Sequence, residues 1–422
     1  MPGTISRRKL LRIGGQAIVA GGAVVCAGSS LPAVASSRPQ LKGVDYYQKL
    51  GVTPFINAAG TYTTLTASTM PDEVQAAMAL AALRPVNLIE LHEAAGQYLA
   101  KRLRCEAVLI TAGAAAALTV GTAACVTAGG DPAILSIPTD MNGLKNEVIV
   151  QKSHRYGYDH AIRNCGVRFV EVETLDQYEQ TFNERTVMTH FFNAGEEHIS
   201  REDWLRVAHK HGVPCFNDAA ADVPPISNLW NYTQMGFDLV TFSGGKGLRG
   251  PQCTGLLLGK KELIDAAKKN NSPNSNTIGR GLKVAKEEIV GLVAAVDWFL
   301  AQDDAAMEAE YRQRAERIAG QVKSIPTVQT QIFVPPVANH VPHLLVTYDQ
   351  SRVKITGAEV MQKMRQGTPR IELNPGTGGP PASAGLPGGS NTIVVGVWMM
   401  QPGEALVVGK RLREVLQGAV GS

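Results

Sequence analysis

The chain has 422 residues, 44% of them hydrophobic and 6% aromatic, with 41 Lys and Arg against 37 Asp and Glu. That is enough for a globular body of two or three domains, and no apolar run reaches the ~18 residues that would span a bilayer. Arg7, Arg8, Lys9 and Arg12 are the only charges in residues 1–35, so the remainder balances 37 basic against 37 acidic groups. Electrostatic binding of nucleic acid, which needs a cationic excess, gains no support from that balance.

The first element in chain order is a targeting signal. Ser6-Arg7-Arg8-Lys9-Leu10-Leu11 precedes the weakly hydrophobic IGGQAIVAGGAVVCAG, and Leu31-Pro32-Ala33-Val34-Ala35 supplies a small-residue cleavage site. Together they predict an export signal over residues 1–35. The paired arginines resemble the twin-arginine type, which carries folded cargo to the periplasm or beyond. The alternative is an ordinary basic first helix and a cytoplasmic protein. Cys26 follows Val25 rather than a small residue, so no stable membrane anchor is expected. The other five cysteines are odd in number and never form a CxxC pair. They predict buried small hydrophobes, with neither a disulfide framework nor a metal site.

Residues 36–70 form an arm rich in Pro, Thr, Gly and Asn. PDEVQAAMALAAL and LIELHEAAGQYLAKRL then carry apolar positions at helical spacing. AVLIT reads as a strand leading through a glycine turn into a helix of small residues. EVIVQ, VRFVEV, VMTHFF, VPCFN and LVTF are further strand-length apolar runs, separated by helical patterns such as SREDWLRVAHKHG. Strands alternating with helices define an α/β domain with a mainly parallel sheet, here residues 71–315. IGRGLKVAKEEIVGLVAAVDWFLAQ reads as one long amphipathic helix near its end. A smaller C-terminal α+β domain, residues 316–422, contains the strands HLLVTY and TIVVGVW and the final helix GEALVVGKRLREVL. Asn374 to Gly389 is a Gly/Pro-rich loop by composition.

The chemistry centres on FSGGKGLRGPQ, Phe242 to Gln252, where Lys246 sits among glycines directly after an apolar strand. A P-loop would need GxxxxGK followed by Ser or Thr, but Gly247 follows the lysine; the dinucleotide glycine spacing is absent too. What remains is a lysine at a strand-to-loop junction with little side-chain bulk around it. Such a lysine, with its pKa lowered, suits Schiff-base formation with pyridoxal 5'-phosphate. That cofactor needs a carboxylate for its ring nitrogen, and Asp218 at the end of VPCFND supplies one at a strand's carboxyl edge; a helix N-cap is the competing role. Its phosphate needs backbone N–H groups at a helix start, which Gly113, Ala114 and Ala115 offer without bulk; Ser243 adds a hydroxyl. His154 is the candidate flat partner for the ring, against an ordinary structural role.

FSGGKGLRGPQCTGLLLGKKELI, with VPCFNDAAADVPP upstream, resembles the group containing bacterial L-seryl-tRNA selenium transferase and D-glucosaminate-6-phosphate ammonia-lyase. PFINAAGTYT, LITAGAAAAL and IGRGLKVAKEEIVGL look like further blocks of that group, so the resemblance covers roughly residues 45–410. It implies a fold type I pyridoxal-phosphate enzyme (aspartate aminotransferase-like) with Lys246 as Schiff-base lysine, Asp218 as ring partner, and Gly113–Ala115 and Ser243 near the phosphate. It further implies a homodimer or higher homo-oligomer with active sites at subunit interfaces, Arg280 and Lys283 reaching a neighbouring subunit's phosphate. Two departures matter. Selenium-transferring members carry an N-terminal RNA-binding region, whereas an export signal stands here, so a small-molecule amine rather than tRNA is the expected substrate. Many fold type I enzymes clamp the substrate carboxylate with a small-domain arginine; this chain reads GVWMMQPGE there, with Trp398, and Arg370 is the substitute candidate. The expected reaction is elimination of water or ammonia from an amino acid or amino sugar. Oxygen-dependent decarboxylation, transamination and a non-catalytic binding protein are the alternatives.

Overall fold

The structure is a computed structural model that describes residues 43–193, 195–336, 338–381 and 385–421. The predicted signal at 1–35 lies outside them. Among the described residues twelve strands follow one another: β1 (Phe55–Ala58), β2 (Ala107–Thr111), β3 (Glu147–Gln151), β4 (Arg168–Val172), β5 (Thr186–Phe192), β6 (Cys215–Asp218), β7 (Leu239–Ser243), β8 (Gly255–Gly259), β9 (Gln329–Phe333), β10 (His343–Thr347), β11 (Arg370–Leu373) and β12 (Thr392–Gly396). Seven of them form one sheet in the order β2-β8-β7-β6-β5-β3-β4. β8 pairs antiparallel with both β2 and β7, and the remaining neighbours are parallel.

Apart from the edge strand β4, whose Arg168 and Glu171 are exposed, this sheet is buried on both faces, which explains why its strands read as mainly apolar runs rather than alternating ones. The helices Leu88–Arg102, Arg201–Lys210 and Lys286–Leu300 contribute to a core on one side. On the other side lie Ala114–Thr127 and Lys261–Asn270. The Ala114–Thr127 helix needs its small residues to sit close to the strands: a Cβ at Gly121 would meet Phe216 Cε1 at 2.5 Å.

A further core gathers Ile56, Leu344, Ile371, Val395 and Leu412 around the antiparallel sheet β12-β10-β9 and the parallel pair β1-β11. Three sequence expectations change here. The arm contributes β1, which pairs with β11, so the N-terminal segment is built into the C-terminal sheet region. The helix Asp304–Val322 runs across position 315, with Tyr311, Ala315, Ile318 and Val322 packed in this core. The helix predicted from Ile278 starts only at Lys286. Gly279 explains the delay, since its backbone lies where a Cβ would be 2.4 Å from the Asn270 carbonyl, a close backbone contact rather than a helical turn. Among the described residues no helix is long and apolar enough to cross a membrane.

Candidate active site

The register of the seven-stranded sheet brings the predicted residues to one edge. Thr111 at the end of β2 pairs with Gly255, which pairs on its other side with Ser243 at the end of β7. Asp218, ending β6, pairs with Thr241 of β7 and Phe192 of β5. Ligands of open α/β sheets bind outside this carboxyl edge, and here it floors a cavity of about 450 Å³. Lys246, Asp218, Ser243, Gly113, Ala114 and Ala115 all line it. So do Tyr62, Tyr156, Asn339, Asn374 and Trp398.

The glycines around Lys246 turn out to serve packing. A Cβ at Gly244 would lie 2.1 Å from Thr254 Oγ1, at Gly245 2.6 Å from Gln252 Cα, and at Gly247 2.1 Å from the Val223 carbonyl oxygen. Neighbouring chain therefore closes directly on the lysine's backbone. Hydrogen bonds fix the turn: Gly244 N–H donates to Thr254 O at 2.8 Å, Gly250 N–H to Gly244 O at 2.7 Å, and Ser68 Oγ–H to Gly245 O at 2.7 Å. Arg249 Nη2 donates to Trp398 O at 2.8 Å, tying the turn to the C-terminal region. Lys246 itself is half-buried and lines the cavity. Burial lowers its amine below the ordinary lysine range, while Asp218 and Asp222 pull it back up.

Asp218 is 4% exposed. Its Oδ1 accepts the Ala220 N–H at 3.0 Å and its Oδ2 accepts the Tyr156 hydroxyl. The first bond is the local turn that a capping aspartate makes, but no helix follows until Asn228. Burial pushes its carboxyl up, and the Tyr156 and Ala220 bonds and the Lys246 charge hold it down. Opposite, Gly113 caps the Ala114–Thr127 helix at φ +92°, with open space where a Cβ would stand. The first-turn N–H groups of that helix have no intrahelical partners. Gly255 lets β8 start beneath this turn: a Cβ there would meet Gly113 C at 2.5 Å.

His154 occupies a different place from the predicted one. It is buried behind the cavity wall, edge-on to Phe191 with ring centroids 4.5 Å apart, and its Nδ1 accepts the Phe192 N–H at 3.2 Å. Burial lowers it to about 4, so it stays neutral. Tyr156, two residues on, lines the cavity instead, stacked on Phe192 at 3.9 Å and 4°. The short 3-10 turn Lys152–His154 sets which side chain faces in, a choice that residue type does not reveal. Arg280 and Lys283 are exposed and absent from the lining. Arg370 is engaged elsewhere: its Nε donates to Glu372 Oε1 at 2.8 Å, and Glu372 is 1% exposed and also holds Arg365. Among the described residues lining the cavity, Lys246 is the one Lys or Arg.

Asp222 is the residue the sequence reading missed. It lines the same cavity, with Oδ2 accepting from Asn193 Nδ2 at 2.6 Å and the Tyr232 hydroxyl at 3.1 Å. A carboxylate within AAADVPP, apolar but for itself, was the available signal. Of the cysteines, Cys165 and Cys215 are buried, whereas Cys253 is exposed at the cavity with Sγ 2.6 Å from Glu288 Oε1.

The residues present fit pyridoxal phosphate: a buried carboxylate ending β6, a lysine in the turn that follows the adjacent strand β7, and an open, glycine-capped helix start for an anion. Fold and site together are those of a fold type I pyridoxal-phosphate-dependent enzyme. More particularly, the chain belongs to the L-seryl-tRNA selenium transferase family, which residues 55–336 match. It is 30% identical over 342 residues to a Streptomyces 5'-C-glycyluridine monooxygenase-decarboxylase, covering 78% of this chain and 83% of the relative. It is 31% identical over 286 residues to D-glucosaminate-6-phosphate ammonia lyase of Salmonella typhimurium, covering 65% and 75%. A solved D-glucosaminate-6-phosphate ammonia-lyase superposes with TM-score 0.74 at 26% identity, covering 89% of this chain and 99% of the other. Escherichia coli cysteine desulfurase CsdA, at 16% identity and TM-score 0.53, shares the fold.

Proposed function

We propose that the chain is an exported lyase that acts on the amine of a small amino acid or amino sugar and eliminates water or ammonia. The observation that carries this reading is the convergence of Lys246 and Asp218 in one cavity beyond the ends of the adjacent strands β7 and β6. The relation to an ammonia-lyase in both sequence and structure supports elimination. Bound pyridoxal phosphate supplies an electron-withdrawing ring that acidifies the carbon bearing the substrate amine. Lys246 holds the cofactor through its ε-amine and, when free, moves a proton at that carbon. Asp218 keeps the ring nitrogen charged, and the N–H groups after Gly113, with the Ser243 hydroxyl, receive the phosphate. Tyr156, planar and lining the cavity, takes the ring-partner role first sought in His154.

Oxygen-using decarboxylation is the second reading, favoured by the relation to the monooxygenase-decarboxylase. Purified protein mixed with a panel of amino acids and amino sugars separates the two. A visible spectral change with ammonia or dehydrated product and no oxygen uptake supports the lyase; oxygen consumed in step with turnover overturns it. Export rests on the residue 1–35 pattern and is tested by fractionation of the native host. Arg280 and Lys283 are assigned to a neighbouring copy's site in a homodimer, which sedimentation of the purified protein tests.

A further inference from the structure

The amino ends of the parallel strands β6 and β7 carry a second group of chemically capable side chains, at the sheet edge opposite the cavity. Cys215 opens β6, Asp238 immediately precedes β7, and His209 lies in the last turn of the helix Arg201–Lys210 that leads into β6. A ring nitrogen of His209, the Cys215 sulfur and a carboxylate oxygen of Asp238 all lie within 4.8 Å of one another. Specific contacts hold them there. His209 Nε2 is 3.0 Å from Asp238 Oδ2, the Cys215 N–H donates to that same oxygen at 2.8 Å, and the Thr189 hydroxyl donates to Cys215 Sγ at 3.2 Å. The Asp238 main chain is anchored as well, its N–H donating to Cys215 O at 3.0 Å and its carbonyl accepting the Lys260 N–H at 2.9 Å. Cys215 is buried, whereas the His209 side chain is 44% exposed, so the group is closed on the sheet side and open to solvent on the helix side. None of the three residues lines the cavity. No spacing motif announces them, because they come from three different elements.

We propose that His209, Cys215 and Asp238 form a binding site for one zinc ion, with water in the fourth position on the exposed side. Imidazole, thiolate and carboxylate are all zinc ligands, and three of them beside one open position is an arrangement zinc adopts. Magnesium and calcium, which take oxygen ligands, are disfavoured by the sulfur and nitrogen donors. Zinc–ligand bonds of about 2.0–2.3 Å set tetrahedral ligand separations of about 3.4–3.6 Å. The His209–Asp238 pair therefore has to open by about 0.4 Å and the widest separation in the group to close by at most about 1.2 Å, shifts that side-chain rotation supplies. Burial raises the Cys215 thiol, so zinc displaces its proton: an S–H bond breaks, an S–Zn bond forms, the proton leaves to solvent, and no electrons are transferred. The bound ion ties the end of the helix Arg201–Lys210 to β6 and β7, at the end of β6 away from Asp218. Without metal the same atoms are an imidazole–carboxylate pair beside an inert thiol.

The test separates these two states. Full-length protein stripped with a chelator is titrated with zinc chloride against a chromophoric indicator and, in parallel, with cobalt(II) chloride. The parent is expected to take up about one equivalent of zinc and, with cobalt, to develop a thiolate-to-metal charge-transfer band. His209→Ala, at an exposed helix end, is expected to bind zinc about tenfold or more weakly, at least the loss that removing an outer hydrogen-bond partner brings. Cys215→Ser is expected to abolish the cobalt band, and Cys253→Ser, which removes the exposed thiol, to leave both readouts unchanged. A parent without zinc uptake or without the band, parental zinc affinity in His209→Ala, or a band that persists in folded Cys215→Ser or disappears in Cys253→Ser overturns the proposal. Should Cys215→Ser fail to fold, judged by circular dichroism, His209→Ala decides alone: weakened uptake sustains the site and parental uptake removes it.

Discussion

Replacing Gly247 by alanine probes the structural claim behind the site. The new Cβ would stand 2.1 Å from the Val223 carbonyl oxygen, 2.9 Å from its carbon and 3.3 Å from Cγ2. Ordinary contact begins near 3.4 Å, so one segment must retreat by about 1.3 Å. Neither is a flexible side-chain end: one carries Lys246 and the other follows Asp222. Overpacking of this kind costs about 1–3 kcal/mol, and misplacing a reacting group by ~1 Å costs about 10²-fold in rate. Gly320 is the control, since a Cβ there meets nothing within 4 Å and the residue lies inside the helix Asp304–Val322. Gly320→Ala is expected to stabilise by about 0.5–1 kcal/mol and to leave cofactor capture unchanged. The assay is thermal unfolding of the cofactor-free protein together with the absorbance-monitored rate of pyridoxal phosphate capture. A Gly247→Ala protein that melts with the parent and captures cofactor at the parental rate refutes the close-packing account of the glycines.

Three other outcomes follow from individual contacts. Tyr156→Phe removes a hydrogen-bond donor that helps hold the Asp218 carboxyl down; the acid limb of pyridoxal phosphate affinity should move up by about one pH unit, and an unmoved limb would deny Tyr156 that role. Arg370→Ala leaves Glu372 with Arg365 as its remaining guanidinium partner; we expect a stability loss of roughly 1–3 kcal/mol with substrate KM unchanged, and a raised KM at parental stability would restore Arg370 as a substrate clamp. The Asp222 carboxyl is raised in the fold from 3.8 to about 6. Its contribution to stability is therefore full below about pH 4 and lost as pH rises through about 6, a swing of about 3 kcal/mol. Cofactor-free Asp222→Asn should gain stability relative to the parent between pH 4 and pH 7, and parallel melting profiles would exclude the raised carboxyl.

What the sequence disclosed followed from periodicity and from strand ends. AVLIT, EVIVQ and the helix LIELHEAAGQYLAKR are present because apolar spacing alone determines them. Asp218 was legible because it terminates an apolar run, and Lys246 because it stands among glycines just past the end of another. Gly113 was legible as a turn between strand and helix. The purpose of Gly244, Gly245 and Gly247 was not, because the atoms they admit come from Thr254, Gln252 and Val223 through tertiary contact. His154 and Tyr156 differ by two positions across a 3-10 turn, where neither a helical nor a strand period decides which ring faces inward. His209 and His211 are exposed yet have partners from distant sequence that no local pattern shows: His209 Nε2 lies 3.0 Å from Asp238 Oδ2, and His211 stacks on Phe182 at 4.3 Å. The β1-β11 pairing joins segments more than 300 residues apart, and no local pattern announces it.

The most direct measurement is borohydride reduction of protein saturated with pyridoxal phosphate, followed by peptide mapping. The account predicts a phosphopyridoxyl adduct on the ε-nitrogen of Lys246 and its absence from Lys246→Ala. An unmodified Lys246 in cofactor-saturated protein, or an adduct confined to another lysine, contradicts it.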